Sequence, residues 1–155
     1  MNQPWKDIKG KRFAPLDNAM GLHSLKREED KMNTSITTNE ELLEKVQEYI
    51  KMQKNGEIIA ALERFYSDDT IMQENEMAPT VGKEANRQRE EEFLRNIQAF
   101  RKAEVKSVSI GSDTVAIEWH YDYDHREWGT RNYHQVSLQR WNDGKIVHER
   151  FYYGS

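Results

Sequence analysis

The stretch Phe65–Asn75, "FYSDDTIMQEN", decides the fold. Phe65 and Tyr66 close an apolar helical pattern, and "SDD" interrupts it because short polar side chains compete for backbone hydrogen bonds. The chain then reads as extended over "TIMQE", with Glu74 on the same strand face as Met72. A carboxylate on the buried side of a strand loses water, so its proton affinity should rise, which suits proton abstraction near neutrality. The plainer reading is that Glu74 reaches water at the strand end or pairs with an arginine.

Upstream of this stretch, "TNEE" offers a capping box between Thr38 and Glu41, and Leu42, Leu43, Val46, Tyr49 and Ile50 recur at helical spacing. This first helix ends at Asn55-Gly56, and a second carries Ile58, Ala61, Leu62 and Phe65 on one side. Downstream, the spacing predicts a third helix from about Lys83 to Phe100, with Phe93, Leu94, Ile97 and Phe100 as its apolar stripe and a charged, wet first half.

The remainder reads as strands. "AEVKSVSI" turns at "GSD" into "TVAIEWHYDYD", whose Val115, Ile117, Trp119, Tyr121 and Tyr123 alternate as one half-buried face requires. "RNYHQVSLQRW" leads through "NDG", a tight-turn signal, into "KIVHERFYY". Helices followed by a long meander give an α+β domain in which one curved antiparallel sheet wraps about three N-terminal helices.

Composition limits the function. The chain has 155 residues, no cysteine and a net charge of −4 with interleaved signs. Thiolate metal sites, disulfides and a cysteine nucleophile are excluded, and no basic stripe marks a nucleic-acid surface. No apolar run approaches a membrane span or a signal-peptide core, so a soluble, cytoplasmic protein is expected. Residues 1–31 carry a net +2 while the rest carries −6. With Pro4, Gly10, Pro15 and Gly21 and no sustained period, this segment reads as a flexible N-terminal extension preceding a domain over 32–155.

The order of "FYSDDTIMQEN", "PTVGKEANRQREEEF" and "WNDGKIVHERFYY" resembles the SnoaL-like branch of the nuclear-transport-factor-2-like superfamily, over residues 38–153. The resemblance implies a cone, a strongly bent sheet whose concave face and helices enclose a pocket. The superfamily includes isomerases, cyclases, dehydratases and proteins that only bind. Its ketosteroid isomerases use a carboxylate base facing an oxyanion hole of a tyrosine and a protonated aspartate. Motif by motif, the resemblance places the base at Glu74 and the tyrosine at Tyr49, while the aspartate falls near Ser137, which offers only a neutral hydroxyl. Read from its helix alone, Tyr49 has a plainer reading, since a tyrosine on an apolar helical stripe is usually a core residue with a tethered hydroxyl.

Met72, Ile117, Trp119, Tyr121, Gln135, Ser137 and Trp141 are the expected lining of a site for a small apolar molecule. His120, Asp122, Asp124, His125 and His134 gather on paired strands. His120, Asp122 and Asp124, however, alternate with the apolar face and so belong on the outer surface, without zinc-type spacing. No metal or cofactor is expected. Two functions stay open: a cofactor-free acid–base isomerase, cyclase or dehydratase acting on a small apolar carbonyl compound, or a non-catalytic ligand-binding or dimerising module. A homodimer through the outer sheet face, with His120, Tyr133 and His134 on it, is the expected assembly.

Overall fold

The computed structural model describes residues 39–154. The N-terminal extension, the domain boundary at Met32 and the Thr38 cap lie outside the described residues. Helix α1 spans 39–54 and buries Leu42, Val46 and Tyr49, three residues one turn apart, while Leu43 stays exposed. Helix α2, Ile58–Phe65, follows after Gly56, whose φ of 77° suits glycine at this turn. Its buried Ala61, Leu62 and Phe65 meet the α1 face in one core with Ile117, Trp119, Trp141 and Ile146.

Strand β1 runs Tyr66–Glu74, longer than "TIMQE", because the chain becomes extended as soon as α2 ends. The "SDD" segment is a bulge within that strand rather than a turn before it: Tyr66 pairs with Ile146 and the next partners are Ile71 and His148. Asp68 and Asp69 are thereby thrown outward into solvent. Strand β2, Thr80–Val81, pairs back on β1, and α3 spans Lys83–Asn96. Strands β3, Ile97–Ile110, β4, Thr114–His125, β5, Gly129–Asn142, and β6, Lys145–Tyr153, complete a six-stranded sheet ordered β2-β1-β6-β5-β4-β3. The α+β architecture is as expected. The sheet is mixed, since β1 runs parallel to β6 while the other neighbours are antiparallel.

Helix α3 stops at Asn96, four residues short of the end at Phe100 read from the sequence. The Asn96 amide bonds back to the Glu92 carbonyl at 3.1 Å and to the Glu92 carboxylate at 2.9 Å, and Ile97 is already extended and paired with His125. Ile97 and Phe100 are therefore strand residues, and Phe100 is exposed. Nor is the charged half wholly wet. Asn86 is fully buried, and its amide reaches the carbonyls of Thr80 at 3.1 Å and Gly82 at 2.8 Å, pinning α3 to β2. Arg89, Glu90 and Phe93 continue the same helical face into the partly buried interior.

The tight turns come from residues that accept positive φ. Asp143 and Gly144, at 48° and 70°, make the hairpin between β5 and β6. Asn75, at 44°, ends β1. Its side chain exchanges two hydrogen bonds with the backbone of Tyr153, each 3.1 Å, which lashes the end of β1 to the end of β6.

Candidate functional site

Strand parity builds the concave face. Val115, Ile117, Trp119, Tyr121, Tyr123 and His125 of β4 point inward, opposite Tyr133, Gln135, Ser137 and Gln139 of β5. Tyr133 thus belongs to the inner face and not beside His120 and His134, because adjacent strand residues face opposite ways. It packs edge-on against Tyr153 with ring centroids 5.4 Å apart. His120 and His134 do lie outside, stacked at 4.6 Å, and Arg101 holds Asp122 and Asp124 at 2.6 and 2.7 Å. His125 is buried instead, stacked on Trp128 with ring centroids 3.8 Å apart, and Phe93 packs against both rings.

Strand β6 breaks its own alternation. Trp141 pairs with Ile146 and Arg140 with His148, so Val147 is an extra residue. The bulge shifts the inward set from Ile146 to Glu149, Phe151 and Tyr153. Glu149, which strict alternation with Ile146 would send to solvent, is completely buried.

A hydrogen-bond group forms around it. Ser137 Oγ and Gln139 Nε2 both donate to Glu149 Oε1, the latter at 2.9 Å, and Tyr66 Oη is bonded to Oε2. Trp141 Nε1 donates to Gln139 Oε1 at 3.0 Å, which orients that amide, and Tyr66 Oη is 3.0 Å from Tyr49 Oη. Burial, above all, raises the Glu149 carboxyl beyond its usual range in spite of these donors. The same burial, with the Glu149 charge adding to it, pushes Tyr49 and Tyr66 well up, so both remain neutral hydroxyls.

Glu74 belongs to a second group, nearer the surface. Its carboxylate is 3.3 Å from Arg89 Nη1, with both side chains 28% exposed. Arg89 also meets Glu90 at 2.9 Å and Met72 Sδ at 3.6 Å, and lies over the Phe151 ring. Desolvation raises the Glu74 carboxyl, although Arg89 and the Tyr153 hydroxyl act to keep it ionised. Tyr153 is in turn pushed up to about 12 by burial and by Glu74. A half-desolvated carboxylate beside a guanidinium can accept a proton while the cation stabilises developing negative charge.

The model of the SnoaL-like domain matches residues 46–149. The chain belongs to that family. No curated protein matches it. Among solved structures, this SnoaL-like chain is similar to a Mesorhizobium loti protein named as a SnoaL-like polyketide cyclase. The two are 28% identical with a TM-score of 0.65, over 72% of this chain and 97% of that one. An NTF2-like protein of unknown function from Burkholderia xenovorans is 19% identical with a TM-score of 0.62, over 75% and 84%. A Catenulispora acidiphila protein with a ketosteroid isomerase-like fold, solved with trimethylamine, is 17% identical with a TM-score of 0.54, over 62% and 75%. The last two likenesses concern the fold.

Within this SnoaL-like domain, the expected pair of Glu74 and Tyr49 is divided between two groups: Glu74 faces Arg89 and Tyr153, whereas Tyr49 meets Tyr66. The groups adjoin, for Met72, which Arg89 touches, pairs with Glu149 across β1 and β6. Met72, Ile117, Trp119, Gln135, Ser137 and Trp141 are all buried on the inside, with Tyr121 stacked on Trp119 at 5.6 Å. Trp141 also lines a cleft of about 110 Å3 between α1 and the Asn142–Gly144 turn. The residues that sequence reasoning missed are Glu149, Tyr66, Gln139 and Arg89. Gln139 shares the parity of Ser137 and was legible in principle, but Glu149 was hidden by the bulge. No helix among the described residues is long and apolar enough to cross a membrane.

Proposed function

We propose that the interior bounded by β1, α3 and β6 is a small-molecule site for metal-independent acid–base chemistry on a carbonyl compound, of the isomerase, cyclase or dehydratase kind. Glu74 is the proton acceptor, and Arg89 is the cation toward which the substrate oxygen develops negative charge. Met72, Trp119, Tyr121 and Phe151 supply apolar walls. The observation that carries this reading is Glu74 itself, whose carboxyl is raised by desolvation even with a guanidinium 3.3 Å away. The family match and the polyketide cyclase name of the Mesorhizobium protein support it.

A second reading, a non-catalytic binding or dimerising module, is favoured by one feature: Tyr49, Met72, Ile117, Trp119 and Trp141 pack into a single core cluster. Deuterium exchange separates the two. Cyclic ketones and 1,3-diketones incubated in D2O with the protein should exchange α-protons, followed by proton NMR. Glu74→Gln keeps the shape and removes the base, so exchange should slow by roughly a hundredfold or more. Equal exchange by the wild type and Glu74→Gln refutes the catalytic role.

A further inference from the structure

Glu149 is the most buried ionisable group of the interior, and the acid–base reading above does not use it. We infer that Glu149 is a positioning residue whose proton sets the direction of the Tyr66–Tyr49 hydroxyl chain, turning Tyr49 from a hydrogen-bond acceptor into a donor at the chain's inner end. The use of this device rests on the small-molecule site proposed above, because a ligand carbonyl needs a donor. The device itself stands on the hydrogen-bond geometry.

The direction follows from counting donors. Ser137 Oγ and Gln139 Nε2 both donate to Oε1, and Oε2 has Tyr66 alone. With Glu149 ionised, three groups donate to it. Tyr66 is then committed to the carboxylate, and the contact between the two hydroxyls requires Tyr49 to donate to Tyr66. Tyr49 is left with free lone pairs. A proton taken up by Glu149 goes to Oε2, the oxygen with the single donor. The carboxyl then donates to Tyr66, Tyr66 donates to Tyr49, and the Tyr49 hydrogen turns toward the interior. One proton is gained and hydroxyls rotate; no other bond changes.

Groups on every packed element bear on this equilibrium. Tyr49 comes from α1 and Tyr66 from β1, while Ser137 and Gln139 come from β5. Glu90 of α3 raises the Glu149 carboxyl, and Arg89 of α3 and Tyr121 of β4 feel its charge. Desolvation outweighs the three donors, which keeps the neutral form accessible in the folded protein.

The test follows hydroxyl and carboxyl carbons by NMR in protein labelled at tyrosine Cζ and glutamate Cδ, with Tyr49→Phe and Tyr66→Phe fixing the assignments. In the wild type, Glu149 should titrate above the ordinary carboxylate range, and Tyr49 and Tyr66 should move with the same midpoint. In Glu149→Gln the amide nitrogen takes the Oε2 place, since the other position already receives two donors. Both tyrosines should then sit at the wild-type acid-side shifts at every pH. In Tyr66→Phe, Glu149 should still titrate while Tyr49 stays silent. A purely structural Glu149 predicts a motionless Tyr49 in the wild type, and that result overturns the inference, as does a Tyr49 titration that survives in Glu149→Gln. If Glu149→Gln does not fold, the wild type and Tyr66→Phe decide the matter. Glu74→Gln should leave the Tyr49 titration in place, so failure of the acid–base reading is separable from failure of this one.

Discussion

Replacing Tyr66 by Phe removes a single oxygen from the middle of the buried chain. That oxygen joins Tyr49 Oη, 3.0 Å away, to Glu149 Oε2. Without it, Oε2 has lost its donor and the Tyr49 hydroxyl has lost its partner, with no water-exposed surface to recover either. A neutral hydrogen bond is worth about 1 kcal/mol and one to a carboxylate about 1.5–3, so the loss should be roughly 2–4 kcal/mol. For a domain of this size a melting temperature moves by about 4 °C per kcal/mol, which gives a fall of roughly 8–16 °C. Tyr49→Phe deletes only the shared bond and should cost about 1 kcal/mol. The double variant should then cost no more than Tyr66→Phe alone, because the second substitution removes a hydroxyl already stranded by the first, leaving a coupling of about 1 kcal/mol. Urea denaturation of the wild type, both single variants and the double variant supplies the cycle. Additive losses, or a Tyr66→Phe cost below about 1 kcal/mol, would refute the chain as drawn.

Other expectations follow from the same structure. The folded state holds the Glu149 proton more tightly than the unfolded chain, so this stabilisation is complete below the unfolded value of about 4.3 and is lost as pH rises through the raised folded value. Relative to Glu149→Gln, the wild type should therefore lose stability as pH climbs above about 4.3, and parallel urea midpoints against pH would contradict this. Asn75→Ala loses both bonds to Tyr153 and strains a left-handed backbone, whereas Asn75→Gly loses only the bonds; denaturation should show alanine worse by about 1 kcal/mol, and equal costs would discount the strain. Val136 and Tyr152 stand side by side and exposed on the outer sheet face, and a homodimer through that face is expected to sediment as such at micromolar concentration, with Val136→Arg shifting it to monomer.

Local periodicity was enough to read α1, α2 and the inward face of β4, because a 3.6-residue or two-residue repeat needs no distant partner to be visible, whereas Tyr133 of β5 was placed on the wrong face. It also put Glu74 beside Met72, and "NDG" marked the hairpin between β5 and β6. Periodicity failed where the tertiary structure overrode the local pattern. Helix α3 ends at Asn96 because the side chain of that residue bonds back to Glu92 and the following residues pair with β4, a partner almost 30 residues away. Glu149 turned inward only because β6 carries one residue more than β5 at Val147, and no local signal in "KIVHERFYY" announces a bulge set by pairing with the neighbouring strand. Arg89 reached Glu74, and Tyr66 reached Glu149, across helix–sheet and parallel-strand contacts that exist only after folding. Much of the apolar lining of the interior was therefore written into strand and helix periods, whereas the inward turn of Glu149 and the division of Glu74 and Tyr49 between two groups were decided by register and packing, since hydrogen-bond partners depend on the positions of atoms from distant elements.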